Sequence, residues 1–348
     1  MRVLTWQWGR RGAGPRFGLG LHQGLAALPD TTALLSLSAQ AELMAGPDAP
    51  VCDLPVDTYD GAGALLRRLA GMAFAVAPLR ARLAELRVEA AVCAMSALLD
   101  PLMTRALGGL GIPYAVVVHD AVPHLGDRLS APVVGPLQRR LLRGAAGVVA
   151  LTSHVAQRLA ADGIAVHAVA AHPPFRFGPA PPPFAHGGRP RLLFFGRLLP
   201  YKGLDLLAAA LGEPGLGCEV RVVGSGPESA ALAALRALSF VRVENRWVPE
   251  GEIGALLAWA DALVLPYVEA SQSGVAPAAL AAGRFVIATD VGGLGEQLAG
   301  SPLARLCPPS AGAIAAAIRA LPDHAPAPAG MADGWVELAR AVRGALSS

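Results

Sequence analysis

The sequence predicts an α/β protein of two Rossmann-like, doubly wound domains, on three observations. Short β-rich runs alternate with Ala- and Leu-rich segments of helical period, the pattern of a parallel sheet wrapped by helices. The runs fall into two sets of five, each sufficient for one domain. Between the sets, residues 173–190 carry too much Pro and Gly for a helix or a central strand.

Along the chain, the first set of strands is expected at residues 3–6, 33–37, 91–95, 115–119 and 148–152, and the second at 192–195, 220–223, 241–244, 262–265 and 285–289. Residues 1–172 then form the first domain, 173–190 the linker and 191–330 the second domain. A second Pro/Ala stretch, at 322–329, sets off an amphipathic helix within 331–348 that is able to cross back to the first domain or close on the second.

A chain of 348 residues, 53% of them hydrophobic, can bury two cores of ordinary size, which excludes a single small binding module. No apolar run approaches the ~18 residues that cross a bilayer, and the first residues lack the apolar stretch and cleavage site of a signal peptide, so a cytoplasmic protein is expected. A net charge of +3 is far from the basic stripe of a nucleic-acid binder. Residues 1–180 nevertheless carry 16 Arg against 12 Asp and Glu, which makes the first half the better candidate for an anionic acceptor or surface. Its arginines gather in a helical stretch (Arg67, Arg68, Arg80, Arg82, Arg87) and at Arg139, Arg140 and Arg143. That pattern fits peripheral contact with anionic lipid at the inner face of a membrane, and equally a core-packed helix with a solvated Arg face. Cys52, Cys93, Cys218 and Cys307 have no metal or redox spacing and read as buried small hydrophobes; no metal site is expected.

The chemistry concentrates in the second half. Of the 29 basic residues only Lys202 is a lysine. In a sequence this rich in Ala, Gly, Pro and Arg, a position that keeps Lys needs a compact ammonium rather than a guanidinium fork. It lies in Arg191-Leu-Leu-Phe-Phe-Gly196-Arg197-Leu-Leu-Pro-Tyr-Lys202-Gly203, read as a buried strand, a Gly-Arg turn and the opening of a helix. Ligands of such sheets bind at the carboxyl ends of the strands, where helix N-termini favour anions. Two cations there, Arg197 and Lys202, suit a diphosphate, although on an ordinary loop they would be solvated charges. Val220-Arg-Val-Val-Gly224-Ser-Gly226-Pro follows, a strand ending in glycines that let backbone approach a ligand. Alone it reads equally as a tight turn or as a dinucleotide fingerprint whose third Gly is replaced by Ser229.

These segments, with Trp259-Ala-Asp-Ala-Leu-Val-Leu-Pro-Tyr267 and the stretch from Gly283 to Glu296, closely resemble the donor half of glycosyltransferase family 4 in order and spacing, from about residue 191 to 300. The resemblance implies the GT-B fold, two Rossmann-like domains facing across a cleft. It further implies retaining transfer of a hexose from a nucleotide diphosphate sugar without a metal or other cofactor, the donor held by the C-terminal domain and a glycan or lipid-linked acceptor by the N-terminal one. By the same resemblance Arg197 and Lys202 are the diphosphate cations, Gly196, Gly224 and Gly226 lie at the donor, and Trp247 and Val248 line the base pocket. The loop after Tyr267, with Glu269, Ser271, Gln272, Ser273, Gly274 and Val275, meets sugar and phosphate.

The first half resembles the family more loosely. Gly12 and Gly14 stand in a Gly-rich loop after the first strand, where acceptor and donor phosphate approach the backbone. His119 follows Val118 at the end of the fourth strand and would sit beside the reacting sugar, with Asp120 orienting its ring; the other reading is a satisfied structural histidine. His172 also has a family counterpart. One departure stands out: the second of the family's two glutamates, near the ribose hydroxyls, aligns with Ala278 or Ala279, while Glu269 stands in for the first. A Ser-Gln-Ser-Gly loop is expected to supply N–H, amide and hydroxyl groups instead. The loss keeps a non-catalytic nucleotide-sugar binder open as an alternative, and a nucleotide-sugar epimerase of similar fold is a second.

Overall fold

The computed structural model describes residues 1–46, 49–121, 131–178, 188–322 and 334–347, and of residues 131–133 the backbone alone. Among the described residues, 1–171 with 334–347 form one compact unit and 172–322 the other. Each unit is built on a parallel six-stranded sheet. Much of the expected linker, 179–187, lies outside the described residues. Its first part packs on the second unit, where Gly254 leaves room for the Phe177 carbonyl oxygen.

In the first unit the strands are β1 (Arg2–Gln7), β2 (Thr32–Leu37), β3 (Ala90–Cys93), β4 (Tyr114–Val118), β5 (Gly147–Ala150) and β6 (Ala168–Val169), in the order β2-β1-β3-β4-β5-β6. Three strands end earlier than expected, the third at Cys93 rather than at 95. The fourth strand ends at Val118, so His119 stands just beyond it. The fifth ends at Ala150, because Thr152 serves as N-cap of the helix Ser153–Ala161, its hydroxyl accepting from Val155 N at 3.2 Å. β-branched Thr reads as strand, but a cap has the stronger claim on its hydroxyl.

Leu4, Trp6, Ala91, Cys93, Val116, Val118, Val148 and Ala150 point into one apolar core. The opposite face is covered by the helices Ala13–Ala26 and Gly334–Ser347, which pack on each other and on this sheet. Glycine makes the close approach possible: a Cβ at Gly20 would stand 2.6 Å from the Trp335 ring, and one at Gly24 would overlap the Trp335 carbonyl oxygen.

In the second unit the strands are β7 (Arg191–Phe195), β8 (Glu219–Gly224), β9 (Val241–Asn245), β10 (Ala262–Leu265), β11 (Phe285–Thr289) and β12 (Ala304–Cys307), ordered β12-β11-β10-β7-β8-β9. Alternate residues feed two cores: Leu192, Phe194, Val264 and Ile287 one, Leu193, Leu263, Leu265 and Val286 the other. Both faces are therefore buried, which explains why these strands read as continuous apolar runs. Arg284 is buried at 1% exposure and donates through Nε to Leu257 O at 2.9 Å, satisfying a carbonyl near the end of the helix Glu250–Trp259.

The helical arginine stretch divides: its first part leaves the core, and its second packs on it through Leu79 and Leu83, with Met72, Ala75 and Val76 beside them. The helix Ala62–Ala70 buries no residue, and the helix Met72–Glu85 buries only Leu79 and Leu83. Among the described residues, no single helix is long and apolar enough to cross a membrane. Cys93, Cys218 and Cys307 are buried thiols, while Cys52 is half-buried, all four free.

Candidate active site

In the second sheet the chain steps from β7 through β8 to β9 and then returns to the other side of β7 with β10. The strand order thus reverses between β7 and β10, the place where open α/β sheets bind ligands. The cations expected from sequence meet there. Arg197 Nη2 donates to the Tyr201 hydroxyl at 2.7 Å, and its guanidinium lies 5.4 Å from the centre of that ring. Lys202 Nζ lies 5.0 Å from the Tyr201 ring and 3.7 Å from that of Tyr267, which follows β10. The ammonium thus rests on the face of a fully buried tyrosine, held by the ring quadrupole. Burial pushes the Tyr267 hydroxyl up to about 12, against the pull of Ser273 and Arg197, so it stays protonated at physiological pH. Burial also raises Tyr201, against the pull of Lys202 and Arg197.

The backbone around these side chains is closely interlocked. Gly203 is left-handed at φ 69°, and a Cβ there would overlap the Pro266 carbonyl oxygen. Val268 N donates to Tyr201 O at 2.9 Å, which places half-buried Glu269 next to the same turn. Gly196 N donates to Val223 O at 3.1 Å, and a Cβ at Gly224 would overlap the Gly196 carbonyl oxygen. A Cβ at Gly226 would overlap Leu198 O, and the side-chain amide of Asn245 holds both Gly226 N and Gly226 O at 3.1 Å. The Gly226 N–H is therefore committed to the fold.

The Ser-Gln-Ser-Gly loop is likewise partly spoken for. Gln297 grips Ser273 by both backbone groups, accepting from Ser273 N at 2.8 Å and donating to Ser273 O at 2.7 Å. The Ser273 hydroxyl accepts from Val275 N and Ala276 N, capping the helix Val275–Ala281. Ser271 is buried and Gln272 half-buried. Beside Gly274 lies His172, whose Nε2 would stand 3.5 Å from a Cβ at that glycine, and whose Nδ1 pairs with Pro173 O at 2.7 Å. Ala278 and Ala279 are buried in this helix. Trp247 is 40% exposed after β9, whereas Val248 belongs to the core and has only backbone to offer a ligand.

In the first unit the order β2-β1-β3 makes the corresponding reversal at β1 and β3. A cavity of about 240 Å³ opens at their carboxyl ends, lined among others by Gln7, Tyr59, Ser96, Asp100, Gln138 and Arg140. The Gly-rich loop is filled by Gln7: its Oε1 accepts from Gly9 N at 2.9 Å, and a Cβ at Gly14 would stand 2.6 Å from Nε2. Gly12 is the N-cap and Gly14 lies in the first turn of the helix Ala13–Ala26.

His119 is 5% exposed, packed edge-on against Phe17 with ring centres 4.3 Å apart. Its Nε2 lies 3.0 Å from Ala94 O; a carbonyl only accepts, so Nε2 carries the proton and Nδ1 the lone pair. Burial lowers the imidazole to about 4, against the pull of Asp120 and the Ala94 bond, so it is neutral at physiological pH. Asp120 thus acts on the ring through its charge, while its own carbonyl accepts from Gln138 Nε2 at 2.7 Å.

Residues 189–324 match the model of "Glycosyl transferases group 1", and residues 11–174 match "Glycosyl transferase 4-like domain". Glycosyltransferase models thus match both halves of the chain, and its fold is that of the GT-B glycosyltransferases. The chain is 32% identical over 213 residues to a 2-deoxystreptamine glucosyltransferase of Streptomyces kanamyceticus, covering 53% of this chain and 54% of that relative, about half its length. Among solved structures it resembles sucrose-phosphate synthase from Thermosynechococcus elongatus (TM-score 0.64, 16% identity, 100% of this chain and 94% of that one). It also resembles Anabaena HepE in complex with UDP and glucose (TM-score 0.65, 16% identity, 92% and 89% covered).

Sequence reading missed Tyr201, Asn245 and Gln297. Tyr201 sits beside the lone lysine, and that adjacency was the available signal; Asn245 and Gln297 act across 19 and 24 residues of chain and leave none.

It also missed Asp100. This carboxylate is 3% exposed and accepts from Trp6 Nε1 at 2.9 Å and Ala97 N at 2.6 Å; burial pushes it up to about 6 against those bonds. Asp100 and His119 therefore affect stability in opposite senses over nearly one pH window. A histidine lowered from 6.5 to about 4 costs stability as pH falls through that range, because only the unfolded chain takes the proton. An aspartate raised from 3.8 to about 6 gains stability over its range, because the folded chain takes the proton first. Each is worth about 3 kcal/mol at full extent and they largely offset. Between pH 6.5 and 4, the unfolding midpoint of His119→Asn, relative to the parent at the same pH, should rise, and that of Asp100→Asn should fall; parallel curves for all three proteins would refute the pairing.

Proposed function

We propose that the protein is a retaining, metal-independent hexosyltransferase, taking its sugar from a nucleotide diphosphate donor held by the second unit and delivering it to a hydroxyl of a glycan or lipid-linked acceptor held by the first. One observation carries the reading: Arg197 and the only lysine of the chain converge on adjacent tyrosines where the second sheet reverses its strand order. Breaking the anomeric bond places positive charge on the sugar and negative charge on the departing diphosphate. Two fixed cations at the diphosphate stabilise that separation without a metal. Both lie against tyrosine faces, and a diphosphate offers each a charge-assisted partner.

Retention follows if the acceptor hydroxyl attacks from the leaving-group side and a phosphate oxygen takes its proton, which demands no strong protein base. His119 is neutral and buried, Nδ1 included, so it brings no charge to the reaction. Without a carboxylate at Ala278 or Ala279, the ribose loses a charged hydrogen bond worth about 1.5–3 kcal/mol, which leaves donor affinity more dependent on the diphosphate.

Anabaena HepE is described with UDP and glucose, so UDP-glucose is the first donor to test. We expect UDP to raise the unfolding midpoint more than UMP, transfer to persist in EDTA, and NMR coupling constants to show the donor's anomeric configuration in the product. An inverted product or loss of activity in EDTA would refute the mechanism. Donor turnover without acceptor would favour the epimerase, and donor binding with no transfer to any hydroxyl acceptor the non-catalytic binder.

A further inference from the structure

We propose that the face formed by the helices Ala62–Ala70 and Met72–Glu85 docks this protein on an anionic phospholipid surface. Leu66 is 68% exposed, Leu69 42% and Phe74 85%, all within nine residues of sequence. Elsewhere among the described residues, large exposed apolar side chains are scattered singly along the chain, which is ordinary for a folded surface.

Charge identifies the occupant. Residues 61–84 hold Arg67, Arg68, Arg80 and Arg82 and no Asp or Glu. The flanking acids are engaged: Asp60 pairs with Arg10 at 2.9 Å and Glu85 with Arg82. Arg105 adds a further cation, its Nη1 3.1 Å from the Met72 sulfur. Here Arg67 and Arg68 stand between Leu66 and Leu69 on a helix that buries no residue, the composition of a segment lying in the headgroup layer, with apolar side chains inserted and guanidinium groups reaching phosphate.

The geometry favours lying on a bilayer over crossing it. The helices have 9 and 14 residues and meet at 76°. At 1.5 Å per residue neither approaches the ~30 Å of a hydrocarbon core.

The test is co-sedimentation of the full chain with vesicles of phosphatidylcholine, with and without phosphatidylglycerol. Two variants accompany it, Leu66→Ser with Phe74→Ser and Arg67→Glu alone, at positions whose side chains are exposed. Binding should require phosphatidylglycerol, weaken with added salt, and fall at least about tenfold in each variant. No binding to the anionic vesicles, or equal binding by parent and both variants, would overturn the proposal. So would self-association, measured by sedimentation velocity, that the Leu66/Phe74 variant abolishes without any lipid binding; that face would then belong to a second copy. The readout involves no sugar transfer, so it stands or falls separately from the donor site.

Discussion

Lys202→Ala should abolish the nucleotide diphosphate-induced rise in unfolding midpoint and lower kcat/KM by about 10²–10³-fold, the cost of removing one fixed charge donor from a developing anion. In the unliganded protein the substitution removes the ammonium's contact with the Tyr267 face, worth about 0.5–2 kcal/mol. Lys202→Arg should recover only part of the loss. The guanidinium keeps the charge, but it is planar and wider than the ammonium now seated 3.7 Å above the ring. Tyr201→Phe gives a milder version of the same effect: it removes the hydroxyl that accepts from Arg197 Nη2 and leaves the ring, so the arginine keeps its charge and loses its aim. A parent-like response to nucleotide in Lys202→Ala would place the diphosphate elsewhere and end the donor-site reading.

The strands of both sheets were legible because doubly wound sheets bury both faces, so Val220-Arg-Val-Val and Phe285-Val-Ile-Ala announce themselves as short apolar runs. β6 and β12 escaped for the complementary reason. The first has two residues and the second is a half-exposed edge strand reading Ala-Arg-Leu-Cys, so neither carries a continuous apolar signal. At the site, what could be read was chemistry standing out against composition: one lysine among arginines, and glycines after strands. What could not be read was which backbone groups were already occupied. Gly226 and Ser273 looked available to a ligand, but Asn245 and Gln297, distant in sequence, close on them in the fold. The glycines after β1 were read as room for a substrate, and the Gln7 side chain stands in that room.

Gly203→Ala should be among the most damaging single substitutions in the second unit, lowering stability by about 4 kcal/mol or more, with the candidate donor site lost alongside. Two costs combine. The left-handed backbone at φ 69° disfavours any side chain by about 1 kcal/mol, and that part alone would be tolerable. The larger part is steric: the new methyl would overlap the Pro266 carbonyl oxygen, a backbone atom that no rotamer change can move aside. Relief requires the turn after β7 and the loop after β10 to separate. That same separation stretches Val268 N from Tyr201 O, and it lifts Lys202 from Tyr267. Gly215→Ala is the matched control, since it too has positive φ, at 82°, but nothing lies within 4 Å of a Cβ there. If the two variants unfold at the same temperature, the contact with Pro266 is not what holds the turn; if only Gly203→Ala collapses, the glycine beside the lysine is what brings the two edges of the strand reversal together.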